Sequence, residues 1–175
     1  MDTRNVLDEF KDLPHDDIVR RLDARGVRLE IAIENTLRDF NMGTIVRSAN
    51  AFGVRTVHVI GRRQWNKRGA MKTDAYLDIK YYASPAEFSS QMQQRGKVVK
   101  ALENNVSSVT IYGAELPDNL VFVFGQEGSG ISAELLAVCD EAVSIPQLGS
   151  TRSLNVGVAA GIAMFEWARR HTTDS

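Results

Sequence analysis

A chain of 175 residues, 43% hydrophobic and 25% charged, is long enough for one domain with its own core and too apolar to be intrinsically disordered. Its formal net charge of −1 argues against holding nucleic acid by bulk charge alone, and its single cysteine, Cys139, excludes an internal disulfide and a multi-cysteine zinc site. The longest apolar stretch, Val156 to Phe165, falls short of the ~20 residues a membrane span needs, and Met1 to Asn5 has no apolar segment behind its charges, so a cytoplasmic protein is expected.

In chain order, the first 25 or so residues read as a polar helical arm with a weak apolar face of Val6, Leu7, Phe10 and Leu13. The alternation from Leu29 to Ile33 predicts a strand, and Met42 to Phe52 a helix that stops at Gly53. A β-rich run, Thr56 to Ile60, ends at Gly61. Ser84-Pro85 starts another helix, with serine as cap and proline at the first position. Val98 to Leu102 is a strand; Leu120 to Phe124, apolar throughout, is a strand covered on both faces. Ser132 to Val138 reads as a helix, Ala142 to Ile145 as a strand and Leu154 to Arg170 as a long helix. Strands alternating with helices predict an α/β fold, a mostly parallel sheet flanked by helices, in a single domain over 1–175. Ligands in such sheets sit beyond the carboxyl ends of the strands, so the loops after Ile60, Phe124 and Ile145 are where chemistry is expected.

Three segments stand out. After the most apolar strand comes Gly125-Gln126-Glu127-Gly128-Ser129-Gly130, glycine-rich enough to bring backbone close to a ligand. Gly128-x-Gly130-x-x-Ala133 formally fits a dinucleotide fingerprint, but the next strand ends Ile145-Pro146-Gln147, without the acid that would hold a ribose. The second segment is Asn41-Met42-Gly43-Thr44-Ile45-Val46-Arg47-Ser48-Ala49. Asn41 suits an N-cap, Gly43 is costly inside a helix unless something approaches it closely, and Arg47 follows one turn later on the same face. The third runs from Ile145-Pro146 through Gly149 and Ser153-Leu154-Asn155 into the small residues Gly157 to Gly161; Ser153 and Asn155 suit caps. Each has a plain structural explanation alone.

Together, in this order and spacing, they resemble the SpoU (TrmH-like) family of RNA ribose 2′-O-methyltransferases, of the SPOUT superfamily. The resemblance runs from about Ile33 to Trp167. The motif N-x-G-x-x-x-R-x-A is Asn41, Gly43, Arg47 and Ala49; G-x-E-x-x-G is Gly125, Glu127 and Gly130; I-P-x-x-G followed by S-L-N-V-x-V-A-A is Ile145-Pro146, Gly149 and Ser153 to Ala160. Gly157 departs from it, standing where a serine is common.

The resemblance implies a C-terminal trefoil knot, an S-adenosylmethionine pocket near Gly125, Glu127, Gly130, Ile145, Leu148, Leu154 and Asn155, and a homodimer with the last helix at its interface. It implies Arg47 as the catalytic residue, acting as general base with help from an RNA phosphate. Arginine rarely gives up its proton, so holding the phosphate or stabilising the developing alkoxide is physically easier. Asn41 and Glu127 would position Arg47 and the RNA backbone, with Ser153 and Asn155 shaping the same site. No metal is required, and His15, His58 and His171 are scattered; His58, inside an apolar strand, reads as a core histidine.

RNA contacts are expected from the acid-free run Arg62, Arg63, Lys67, Arg68 and Lys72, with Trp65 inside it. Further candidates are Arg169 and Arg170, and the arm with Arg20, Arg21, Arg25 and Arg28. Because some relatives that act on ribosomal RNA carry an extra N-terminal RNA-binding domain and only a short arm is seen here, tRNA is expected over rRNA. Two other readings stand beside this one: an RNA-binding protein of the same fold that has lost catalysis, and a nucleotide-binding α/β enzyme using the Gly125 loop for phosphates.

Overall fold

The computed structural model describes residues 3–36 and 41–172. Its core is one sheet of strands β1 (Glu30–Asn35), β2 (Thr56–Gly61), β3 (Asp78–Tyr82), β4 (Val98–Leu102), β5 (Val109–Thr110), β6 (Leu120–Phe124) and β7 (Glu141–Ser144). They lie in the order β3-β2-β1-β6-β4-β7-β5, and the pairings among the described residues are all parallel. The central strands β1 and β6 are buried at every residue; the unbroken apolar run of β6 requires it, whereas β1 also buries Glu30, Glu34 and Asn35.

Alternation along β6 assigns the two faces. Leu120, Phe122 and Phe124 face α2 (Asn41–Ala51) and α5 (Val156–His171), packing with Ile31, Ile33, Ile45 and Trp167. Val121 and Val123 face α3 (Pro85–Gln94) and α4 (Ala133–Leu136), packing with Ala32, Phe88, Met92 and Leu135. Helix α3 starts as its sequence predicts: Ser84 Oγ accepts from the Glu87 amide, and Glu87 Oε2 accepts from the Ala83 amide, a reciprocal cap.

Three elements differ from the sequence expectation. The arm is broken: a 3-10 turn at Asp8–Phe10 precedes Pro14, and only then does α1 (His15–Arg25) begin. Phe10 and Ile18 bury against Tyr76, so the arm is docked on the loop before β3. Strands β3 and β5 were not expected. Both are edge strands, β3 alternating in exposure and β5 exposed at both of its residues.

Candidate functional site

A cleft of about 250 Å³ opens at the carboxyl ends of β4, β6 and β7, against the start of α5. Gly125, Glu127, Gly130, Ile145, Ser153, Leu154 and Asn155 line it, so two of the three segments singled out in the sequence meet there. The glycine loop is closed on itself: Gln126 and Gly130 exchange backbone hydrogen bonds at 3.1 and 3.0 Å. A Cβ on Gly125 would lie 2.3 Å from the Gly130 carbonyl carbon, and Gly130 holds φ +67°, so both positions require glycine. Leu148, expected beside the cofactor, is instead 98% exposed and does not line the cleft.

A chain of side-chain hydrogen bonds joins the three motifs. Asn155 Nδ2 donates to Asn41 Oδ1 at 2.8 Å, and Asn41 Nδ2 donates to Glu127 Oε2 at 2.9 Å. Asn155 Oδ1 meanwhile accepts from the Gly157 and Val158 amides, capping α5. Arg47 lies on the exposed face of α2, one turn beyond Thr44, and makes no hydrogen bond or ion pair among the described residues. Thr44 packs on Gly157 at the start of α5 and on Gly69 in the basic loop, which places Arg47 next to both segments. Gly43 explains itself: a Cβ there would be 2.7 Å from the backbone nitrogens of Gly69 and Ala70.

Sequence reasoning missed the loop after β4. Glu103, Asn104 and Asn105 line the cleft. Asn104 bonds the Ile145 amide and carbonyl through its side chain, and Glu103 Oε2 accepts from the Ile131 amide. The rule that ligands gather at carboxyl ends of parallel strands could have flagged this loop. Also missed was the end of β1. Asn35 donates to the Arg62 and Gln64 carbonyls, while Thr36 and Gln126 exchange two hydrogen bonds across the sheet.

The basic residues divide sharply. Arg62, Arg63, Lys67, Arg68 and Lys72 are all exposed on the loop that crosses α2 at Gly43. Arg63 sits over the Tyr81 ring, and Lys67 pairs with Asp74 at 2.6 Å, a hydrogen bond that raises the Lys67 ammonium above its usual value. Arg170 is structural: it pairs with Glu166 and donates to the Ala114 and Ile111 carbonyls, pinning the loop before β6 to α5. Arg169 and Arg170 both bond Glu166, and Arg169's hydrogen bond leads in holding that carboxyl down at about 2. In the arm, Arg20, Arg25 and Arg28 pair with Asp17, Glu9 and Asp118. Arg21 is exposed on α1.

His58 is a core residue, fully buried between Glu30 and Tyr82. Burial depresses its basicity, and the Glu30 hydrogen bond only partly restores it. Burial pushes Cys139 up to about 12, an unreactive thiol. No group of three His, Cys, Asp or Glu suited to a metal ion occurs among the described residues.

Residues 28–165 match the family described as the SpoU rRNA Methylase family. The tRNA (guanosine(18)-2′-O)-methyltransferase of Escherichia coli (strain K12) is 26% identical over 156 residues, covering 87% of this chain and 68% of that one. A. aeolicus TrmH/SpoU tRNA modifying enzyme superposes with a TM-score of 0.77 at 26% identity, covering 90% of this chain and 84% of that one. The AdoMet-bound rRNA methyltransferase from Sinorhizobium meliloti superposes at 0.72 with 26% identity, covering 83% of this chain and 57% of its own.

Proposed function

From the premise that this chain belongs to the SpoU rRNA Methylase family, we propose that it is an S-adenosylmethionine-dependent methyltransferase acting on a ribose 2′-hydroxyl of RNA. The observation that carries the reading is the Asn155–Asn41–Glu127 chain, which joins the three motif loops at the cleft. The cleft suits the donor: Leu102, Ile145, Leu154, Val156 and Ala159 offer an apolar wall for an adenine, and the closed glycine loop offers backbone polar groups at its rim. Bound there, S-adenosylmethionine supplies a methyl group on a sulfonium that leaves as a neutral thioether.

The protein's part is placement and electrostatics. Arg47 presents a planar guanidinium that holds the phosphate beside the target ribose and offsets the charge developing on its 2′-oxygen. Asn41 and Glu127 order the start of α2 beneath it, and Asn155 fixes α5 relative to both. Ser153, exposed at the cleft edge, shapes the entrance. The exposed cations of the 62–72 loop, chiefly Arg62, Arg63, Arg68 and Lys72, extend the RNA track, with Lys67, Arg169 and the arm as secondary contacts.

Three finer readings belong to the same proposal. The chain is one cytoplasmic domain whose C-terminal part is knotted; in support, β7 lies beyond β4 while α5 starts at the cleft that the Gly125 loop also lines and packs on α2. It forms a homodimer through α5; in support, Val158, Ile162 and Phe165 leave an exposed apolar stripe 53%, 38% and 56% accessible. Its substrate is tRNA, in support of which stand the E. coli and A. aeolicus relatives named for tRNA. The test is transfer of labelled methyl from S-adenosylmethionine to unmodified tRNA and to ribosomal RNA, followed by digestion to nucleosides. Label in a 2′-O-methylnucleoside from tRNA is expected; label on a base would overturn the reaction, and label only in ribosomal RNA would overturn the substrate.

A further inference from the structure

Glu103 lies where no motif places an acid. It follows β4, whose register with β6 pairs Ala101 with Val123, so Glu103 stands level with Gly125 at the head of the glycine loop. Its carboxylate is held from two sides. Oε1 accepts from the Asn105 amide and side chain, both at 3.1 Å, and Oε2 accepts from the Ile131 amide at 3.2 Å. Gly130 makes room for it, since a Cβ there would fall 2.5 Å from Oε2. A carboxylate offers about four acceptor positions, and three are filled, leaving one on Oε2 at a residue that lines the cleft.

The other carboxylate lining the cleft, Glu127, is engaged by Asn41. The arrangement answers the gap in the dinucleotide fingerprint. That fingerprint seats a ribose on an acid at the end of the strand adjacent to the glycine-loop strand. Here the strand that follows in sequence leads into no acid, but β4, adjacent in space to β6, is followed directly by one. Resting on the proposed function, we propose that Glu103 is the ribose-binding residue of the cofactor site, accepting a hydrogen bond from one ribose hydroxyl of the S-adenosyl group. The single remaining acceptor position makes the contact selective for one of the two hydroxyls.

The test is isothermal titration calorimetry of the full chain with S-adenosylhomocysteine and its 2′-deoxy and 3′-deoxy analogues. Wild type loses about tenfold in affinity on one deoxy analogue and little on the other, the size expected for a hydrogen bond to a charged group. Glu103→Gln binds S-adenosylhomocysteine about tenfold more weakly and loses nothing further on that analogue. Equal binding by wild type and Glu103→Gln, or the same deoxy penalty in both, overturns the assignment while leaving the proposed function standing. A wild type that binds no S-adenosylhomocysteine overturns both. Should the substitution unfold the chain, the wild type decides alone: indifference to both deoxy analogues overturns the assignment, and sensitivity to one hydroxyl bears it out.

Discussion

Asn155 and Asn41, 114 residues apart in sequence, meet side chain to side chain at 2.8 Å, and the same Asn155 caps α5. One residue therefore sets the start of the last helix and the start of α2 together. Asn155→Ala removes a cap worth about 1 kcal/mol as well as the link. Urea unfolding of both single mutants and the double should show coupling between Asn41→Ala and Asn155→Ala of at least ~0.5 kcal/mol. Additive losses would mean that the two loops are positioned independently.

Gly43→Ala improves helix propensity by up to ~1 kcal/mol yet should destabilise by about 2 kcal/mol net, because its methyl meets the backbone of Gly69 and Ala70. Since that backbone carries the basic loop, RNA affinity should fall alongside stability. Thermal unfolding and RNA titration on one preparation check both.

How much of this was legible in the sequence depends on where each signal resides. β6 announced itself because burial on both faces demands an unbroken apolar run, and α3 because Ser84-Pro85 carries its own cap. Gly43 was legible as a close approach, but what approaches it was not, because Gly69 lies in a loop without periodicity. β5, two exposed residues, has no core face to leave a pattern. Glu103 was invisible for a related reason: its meaning comes from β4 lying beside β6, a neighbour relation that linear spacing does not encode. Arg169 and Arg170 read as a basic pair, whereas Glu166 one turn earlier engages both.

That last contrast can be measured. Arg170→Ala should destabilise by about 1–3 kcal/mol, leaving the Ile111 and Ala114 carbonyls without this donor, and should leave the salt dependence of RNA binding unchanged. Arg68→Ala and Lys72→Ala should barely alter stability, and each should lower the slope of log affinity against log salt by about 0.7–0.9. The reverse pattern would move the RNA track to α5.

Acid should weaken the fold in two limbs. Burial pushes the Glu30 carboxyl up, but hydrogen bonds from His58, Arg95 and Lys97 outweigh it and hold it well below its ordinary value of 4.5. The stability this contributes is present above that value and is lost as pH falls through it towards the folded value. His58 is also depressed, from 6.5, so below that pH the unfolded chain takes up a proton the folded one refuses, and stability declines there too. Urea unfolding across pH should show both limbs, with Glu30→Gln flattening the lower and His58→Phe the upper. A wild-type curve flat from pH 7 to 4 would contradict the assignment.

The most direct test of the central claim is methyl transfer to unmodified tRNA by wild type and Arg47→Ala, with the unfolding free energy of each measured in parallel. Arg47 is exposed and holds nothing else in place, so the substitution should leave stability within ~0.5 kcal/mol and lower kcat/KM by on the order of 10²-fold or more. An Arg47→Ala protein that is equally stable and methylates tRNA at the wild-type rate would contradict the account.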